Sequence, residues 1–362
     1  MKKVLCLVLA LVMVASMSAI ALAEQETFSF EIVSKGFQST YWQAVYKGSS
    51  ERIAALNDEA GYEMIKFNFV GPDSESDIAV QVNMFESALN TKPSAIGLAA
   101  LDVDALNANI AAAKEAGIPI IGFDSGVPNA PEGAVLANAS TDNYVAGTVA
   151  ADNLYAKIKD RIAAADGAVR IGEVNQDATS ESITGRGLGF IDKMVELCTA
   201  DGYPVAVIGN DKYVGDSKGD KVAEADAKVI IEVRVPSQTT TELCATEAGV
   251  ILNAADTIAI FGSNQVAAEG VITANEMLNV TGSDDSQIIA VGFDSGTVIK
   301  AAVGSGVMYG AVTQAPVAIG EKLIDLMLAS ARGEDVADTD TGCQFYTSEN
   351  IDSEEIAQNL YD

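Results

Sequence analysis

Short apolar runs alternate with helical stretches along nearly the whole chain, and this alternation limits the fold more than any other feature. SAIGLAAL and IPIIGFD are continuous apolar runs, whereas WQAVYKGSSERIAALNDEAG, SDIAVQVNMFESALN and DALNANIAAAKEAG carry a helical period. In the first of these helices Trp42, Val45, Ser49, Ile53 and Leu56 share one face, and Gly61 follows its end. Strands without polar alternation are buried on both faces, so the pattern predicts α/β architecture: parallel sheets with helices on each side. The grammar repeats in the second half, from AVLANAST through VRIGEVN, KVIIEVRV, TIAIFGS, QIIAVGFD and YGAVTQ to PVAIGEKLIDLMLAS. Two similar sets predict two lobes. Residues 201–228, rich in Gly, Asp and Lys, break the rhythm and read as a surface insertion. No long linker separates the lobes, which fits several chain crossings between them.

The first 23 residues have the pattern of a secretory signal peptide. MKK is a basic start, VLCLVLALVMVA an apolar centre, and Ala21-Leu22-Ala23 a small-residue cleavage site. The apolar stretch is short for a spanning helix, which needs about 20 residues, so no membrane insertion is expected after cleavage. Cys6 precedes the position a lipid-anchored cysteine would take. Without Lys2 and Lys3, 20 basic residues face 51 acidic ones, a net charge of −31. That balance argues against nucleic acid as a partner. The chain has no histidine, which removes Ser-His-Asp and Cys-His catalysis and every histidine-based metal site. No cofactor, metal site or catalytic residue is implied. Cys198, Cys244 and Cys343 remain after processing, compatible with a disulfide between Cys198 and Cys244 or with three buried thiols.

The pentapeptide GFDSG occurs twice, ending at Gly126 and at Gly296, each time after an apolar strand. Ligands of open α/β sheets bind beyond the carboxyl ends of the strands. Asp124 and Asp294 occupy that position, and a carboxylate there can accept from two vicinal hydroxyls. The alternative is that each merely caps the following helix. Other strand-end candidates are Lys35, Gln38, Tyr41 and Trp42 after the first strand, Ser125 beside Asp124, Arg186 after VRIGEV, Asn264 after TIAIFGS, and Gln314 after YGAVT. Trp42, the sole tryptophan, fits either a stacking platform or the helix's buried face.

Taken in order, VSKGFQSTYWQAVYKGS, ALDVDAL, IPIIGFDSG, ANASTDNYVAG, TGRGLGF, IFGSN, VGFDSG, AVTQAP and TGCQFYTSENID resemble a type I periplasmic sugar-binding protein of the ribose-binding-like branch, the solute receptors of ABC transporters. The resemblance covers the mature chain. It implies two Rossmann-like lobes, residues 24–140 with 315–341 and residues 141–314 with 342–362, joined by a three-strand hinge at 140–142, 314–315 and 342–346. It assigns the aromatic pair to Tyr41 and Trp42, the carboxylates to Asp124 and Asp294, the arginine to Arg186, and the amides to Asn264 and Gln314. Three departures concern the ligand's identity. Ser125 replaces a basic residue, Ser39-Thr40 replaces Asn-Pro, and no aromatic stands near 235–237.

The expected function is capture of a monosaccharide or similar polyhydroxylated molecule between the lobes and its delivery to an ABC transporter permease, in the periplasm, with free secretion as an alternative. A nucleoside, furanosyl signal or cyclic polyol is the competing ligand class. A glycosidase using Asp124 and Asp294 fits less well, because no further acid–base group accompanies them. A repressor of the lac type is excluded by the export signal and the acidic charge.

Overall fold

The computed structural model describes residues 25–362. The signal peptide assigned to residues 1–23 lies outside the described residues.

The chain runs β1 (Phe28–Val33), α1 (Thr40–Ala60), β2 (Ile65–Val70), α2 (Ile78–Asn90), β3 (Ala95–Leu98), α3 (Asn107–Glu115), β4 (Ile120–Phe123) and β5 (Val135–Ser140). It continues through α4 (Asn143–Ala164), β6 (Val169–Val174), α5 (Glu181–Ala200), β7 (Val205–Gly209), α6 (Asp211–Asp216), β8 (Val229–Arg234) and α7 (Thr241–Leu252). Next come β9 (Thr257–Gly262), α8 (Gln265–Leu278), β10 (Ile289–Phe293), α9 (Thr297–Ser305), β11 (Gly310–Gln314) and α10 (Pro316–Ala331). The short elements β12 (Thr339–Asp340), β13 (Cys343–Tyr346) and α11 (Glu354–Ala357) complete it.

Two sheets form. The first has the order β12-β5-β4-β3-β1-β2, and the second β13-β11-β10-β9-β6-β8-β7. Every neighbouring pair is parallel except β11 with β13. β3, β4 and β10 are buried along their whole length, as their unbroken apolar composition requires. Each sheet with its helices makes a lobe. The chain passes between lobes after β5, after β11, and between β12 and β13. These segments are tied together: Thr341 N donates to Ser140 O at 3.0 Å, and Thr141 Oγ1 to Gly342 O at 3.1 Å.

Both lobes also carry helix pairs in backbone contact, set by glycines. A Cβ on Gly48 of α1 would lie 2.0 Å from Val317 O of α10, and one on Gly320 would lie 2.2 Å from Val45 O. In the second lobe a Cβ on Gly147 of α4 would lie 2.0 Å from Arg186 O, and one on Gly189 of α5 would lie 2.1 Å from Tyr144 O. Only glycine permits approaches this close.

Residues 201–228 are more than a surface excursion. They contain β7, which pairs with β8 from Val205 to Gly209 and buries Val205 and Ala206. They also contain α6, whose Tyr213 is fully buried in the second lobe's core. The flanking Gly, Asp and Lys residues masked a five-residue strand. Among the described residues no disulfide forms: Cys198 and Cys244 sit in separate core clusters, and Cys343 is half-buried. No described helix is long and apolar enough to cross a membrane.

Candidate functional site: the cleft between two sets of strand ends

The carboxyl ends of β1, β2, β4, β6, β9, β10 and β11 converge where the lobes face each other. There Lys35, Tyr41, Trp42, Glu75, Asp124, Gln176, Arg186, Asn264, Asp294 and Gln314 line a small cavity of about 30 Å³. A larger hollow of about 550 Å³ opens at the hinge, but its charged lining is five carboxylates and no basic side chain. The cleft, unlike the hinge hollow, brings both cationic and anionic side chains from the two lobes together, and the site is placed there.

The two GFDSG turns match in detail. Asp124 and Asp294 both adopt positive φ, 55° and 72°, and they are two of only four non-glycine residues that do so among the described residues. Each backbone N–H donates to the neighbouring strand, Asp124 N to Ala139 O at 3.0 Å and Asp294 N to Val312 O at 2.6 Å. The left-handed residue of each turn is therefore the aspartate itself, although Gly296 also has positive φ. Such a conformation costs about 1–3 kcal/mol and concentrates at functional sites. Neither side chain caps the helix that follows in sequence. Asp124 Oδ1 accepts from the Tyr41 hydroxyl. Asp294 Oδ1 accepts from Gln314 Nε2 at 2.7 Å, and its Oδ2 accepts from Gln265 N at 3.1 Å, the first residue of α8. Burial raises the Asp294 carboxyl above its ordinary range, opposed by the Arg186 guanidinium and the Gln314 hydrogen bond.

Arg186 projects from α5 and is 2% exposed. Its Nη1 donates to Ser263 O at 2.8 Å and its Nη2 to Asn143 Oδ1 at 2.6 Å, while the guanidinium lies 3.6 Å from the Phe293 ring centroid. Its Nε has no partner. Gln314 Oε1 and Gln265 Oε1 are also buried and unpartnered. Three unmet polar atoms among the cleft residues mark unused hydrogen-bonding capacity, which is costly in a buried place.

On the first lobe, Ser39 caps α1 by accepting from Trp42 N at 3.4 Å, which sets Tyr41 and Trp42 at the cleft wall. Their rings meet edge to face, 5.1 Å between centroids, and Trp42 meets Phe123 likewise at 6.2 Å. Trp42 is 2% exposed, so it serves the core and the cleft wall together. Burial beside Asp124 raises the Tyr41 hydroxyl well above its usual value, so it stays protonated and donates.

The lobes touch directly. Lys35 Nζ reaches Ser180 Oγ at 3.3 Å and Ser182 Oγ at 3.2 Å, and Gln265 Nε2 reaches Thr40 Oγ1 at 3.1 Å. Gln176 Nε2 donates to Glu75 Oε2 at 2.9 Å, and Thr239 N to Ser76 Oγ at 2.7 Å. Burial alone would lower the pKa of Lys35, but Glu75, Asp124 and Asp177 outweigh it, so the ammonium is held charged.

Eight of the ten residues picked from the sequence line the cleft. Gln38 does not. It precedes the α1 cap on an exposed bend, and its amide reaches Asp73 at 3.3 Å. Ser125 is fully buried beneath the wall, where its Oγ accepts from Ser182 N at 3.2 Å. Asn264 does two things: its Oδ1 caps α8 at Ala267 N, 3.1 Å, and its Nδ2 donates to Gln176 Oε1. Sequence reasoning missed Glu75, Gln176, Ser182 and Gln265. Gln176 and Gln265 had a usable signal, since each lies within a few residues of a strand end.

The family model for the periplasmic binding protein domain matches residues 30–335. No curated protein matches the sequence. Among solved structures, an ABC transporter, LacI family transcriptional regulator from Brachyspira murdochii is 32% identical, with a TM-score of 0.74 over 93% of this chain and 99% of that one. An ABC transporter solute-binding protein from Agrobacterium vitis with bound D-fucose is 30% identical, with a TM-score of 0.74 over 92% and 100%. A carbohydrate transporter solute-binding protein from Agrobacterium radiobacter in complex with D-arabinose is 25% identical, with a TM-score of 0.73 over 92% and 99%. With two sheets of strand ends closing on one cleft, and a family match over most of its length, this chain belongs to the periplasmic binding proteins.

Proposed function

We propose that the protein is an exported receptor that captures a monosaccharide in the cleft and hands it to the permease of an ABC transporter. The observation that carries this is the matched pair of strand-end aspartates, one per lobe, beside the unpartnered Arg186 Nε, Gln265 Oε1 and Gln314 Oε1. Carboxylates and amides accept from hydroxyls, and the guanidinium donates to ring or hydroxyl oxygens. D-fucose and D-arabinose, bound by the two Agrobacterium relatives, are small rings of this chemistry. In this reading the lobes, 24–140 with 315–341 and 141–314 with 342–362, close by hinge motion at 140–142, 314–315 and 342–346. Residues 1–23 direct export, cleavage follows Ala23, and the protein works in the periplasm. In this reading it clamps its cargo and does not transform it, in keeping with the family of binding proteins to which it belongs.

A thermal-shift screen against D-fucose, D-arabinose, D-galactose, D-glucose, D-ribose, myo-inositol and adenosine tests the reading, followed by calorimetry on the hits. A neutral sugar is expected to stabilise the protein by mass action. Asp294→Ala then lowers affinity by ~100-fold or more, since hydrogen bonds to a buried charge are lost. Asp294→Asn, which tolerates the left-handed backbone, separates charge from fold. The proposal fails if no sugar binds, or if Asp294→Asn and Asp294→Ala both bind as well as the unaltered chain.

A further inference from the structure

The cleft holds a third carboxylate at the centre of its cross-lobe contacts. Glu75 lies in the loop after β2, within GPDSESD. Its Oε1 accepts from Trp42 Nε1 at 2.8 Å, and its Oε2 accepts from Gln176 Nε2 of the other lobe at 2.9 Å. The same Oε2 stands 3.7 Å from the Lys35 ammonium, whose side chain is 3% exposed. The other charges that act on Lys35 are Asp124, Asp177 and, with opposite sign, Arg186.

We propose that Glu75 is a specificity-determining residue of the cleft: by occupying Lys35 it restricts binding to uncharged sugars and excludes sugar acids. The inference rests on the sugar-receptor reading above. Glu75, Asp124 and Asp294 face only Lys35 and Arg186 among the lining residues, so the wall is net negative. The two cations differ. Lys35 is shared among Glu75 and two serine hydroxyls, whereas Arg186 makes no ion pair and gives only two of its five N–H groups to neutral acceptors, Ser263 O and Asn143 Oδ1. A sugar carboxylate placed beside Lys35 loses its hydration and meets the Glu75 carboxylate there instead of a free ammonium, a combination that disfavours binding. Replacing Glu75 by glutamine removes one negative charge and leaves Lys35 without its nearest carboxylate, so a ligand carboxylate can take that place.

The test uses matched pairs that differ only at C6: D-galactose with D-galacturonate, or D-glucose with D-glucuronate, whichever neutral member binds. Calorimetry gives the neutral-to-acid affinity ratio for the unaltered chain, Glu75→Gln and Glu75→Asp. The ratio is expected to fall by ~10-fold or more in Glu75→Gln and to stay near that of the unaltered chain in Glu75→Asp, which keeps the charge. Trp42 is the sole tryptophan, so its emission reports on the same carboxylate and verifies an intact wall in each variant. If Glu75→Gln weakens both sugars equally and the ratio holds, Glu75 is only a brace and the inference is overturned alone. If the unaltered chain binds no sugar of the screen, the sugar reading fails and this inference with it; if it binds the acid of a pair as tightly as the neutral sugar, this inference alone is overturned.

Discussion

Glu173 offers a measurable test of how the second lobe is built. It lies on β6 and is fully buried. Its Oε1 accepts from Asn175 Nδ2 at 2.8 Å, and its Oε2 has no partner. Burial raises its pKa well above the ordinary value of 4.5, opposed by the Asn175 hydrogen bond. The folded carboxyl therefore keeps its proton at a pH where the unfolded one has released it. Its contribution is fully present below the unfolded pKa and is lost as pH rises towards the folded pKa. Each pH unit inside that window removes at most ~1.4 kcal/mol. Glu173→Gln has no proton to lose. Between pH 5 and 7 its advantage over the unaltered chain should widen steadily, by at most ~1.4 kcal/mol per pH unit, and each kcal/mol is roughly 2–4 °C in melting temperature for a unit of this size. Thermal unfolding followed by circular dichroism across that range measures it. Parallel curves for the two proteins would refute the reasoning, because they would mean that Glu173 ionises alike in both states.

The contact of α4 with α5 predicts a coupled effect on ligand binding. Gly147→Ala would press a methyl onto the Arg186 carbonyl, lowering stability by about 1–3 kcal/mol and weakening sugar affinity because α5 carries Arg186. An unchanged melting temperature would show that the helices can part freely. Burial pushes the Cys198 and Cys244 thiols up to about 12 and Cys343 to about 11. Iodoacetamide at pH 8 should leave Cys198 and Cys244 unlabelled in the native protein, whereas the unfolded mature chain should take three labels by mass spectrometry. Two fewer labels would reveal a disulfide.

The strands with unbroken apolar runs were legible because burial on both faces leaves a compositional mark, as in Ile120–Phe123 and Ile289–Phe293. The cleft residues that follow such strands were legible for the same reason: a strand end fixes where Asp124, Asn264 and Asp294 must point. β7 was missed because it is an edge strand of five residues flanked by turn-forming and charged neighbours. Glu75 was missed because its position in a loop rich in Pro, Ser and Asp follows no period. A loop of the first lobe brings it to Trp42, and only the meeting of both lobes brings it to Gln176. Gln38 was chosen for its nearness to the aromatic pair, but a helix start turns the chain, and the side chain before the cap faces outward.

The return of the chain to the first lobe after β11 has a consequence for the order in which the molecule can assemble. Ile319, Leu323, Ile324, Met327 and Leu328, all on α10, belong to the core cluster built on β1 and α1. They are synthesised after every strand from β6 to β11. As the chain emerges, the second sheet can gather six of its seven strands while the first lobe, begun earlier, still shows water an apolar face awaiting α10. The half that starts first is covered only after six strands of the other have been made, and a chain cut short before residue 328 carries that uncovered face as an aggregation hazard.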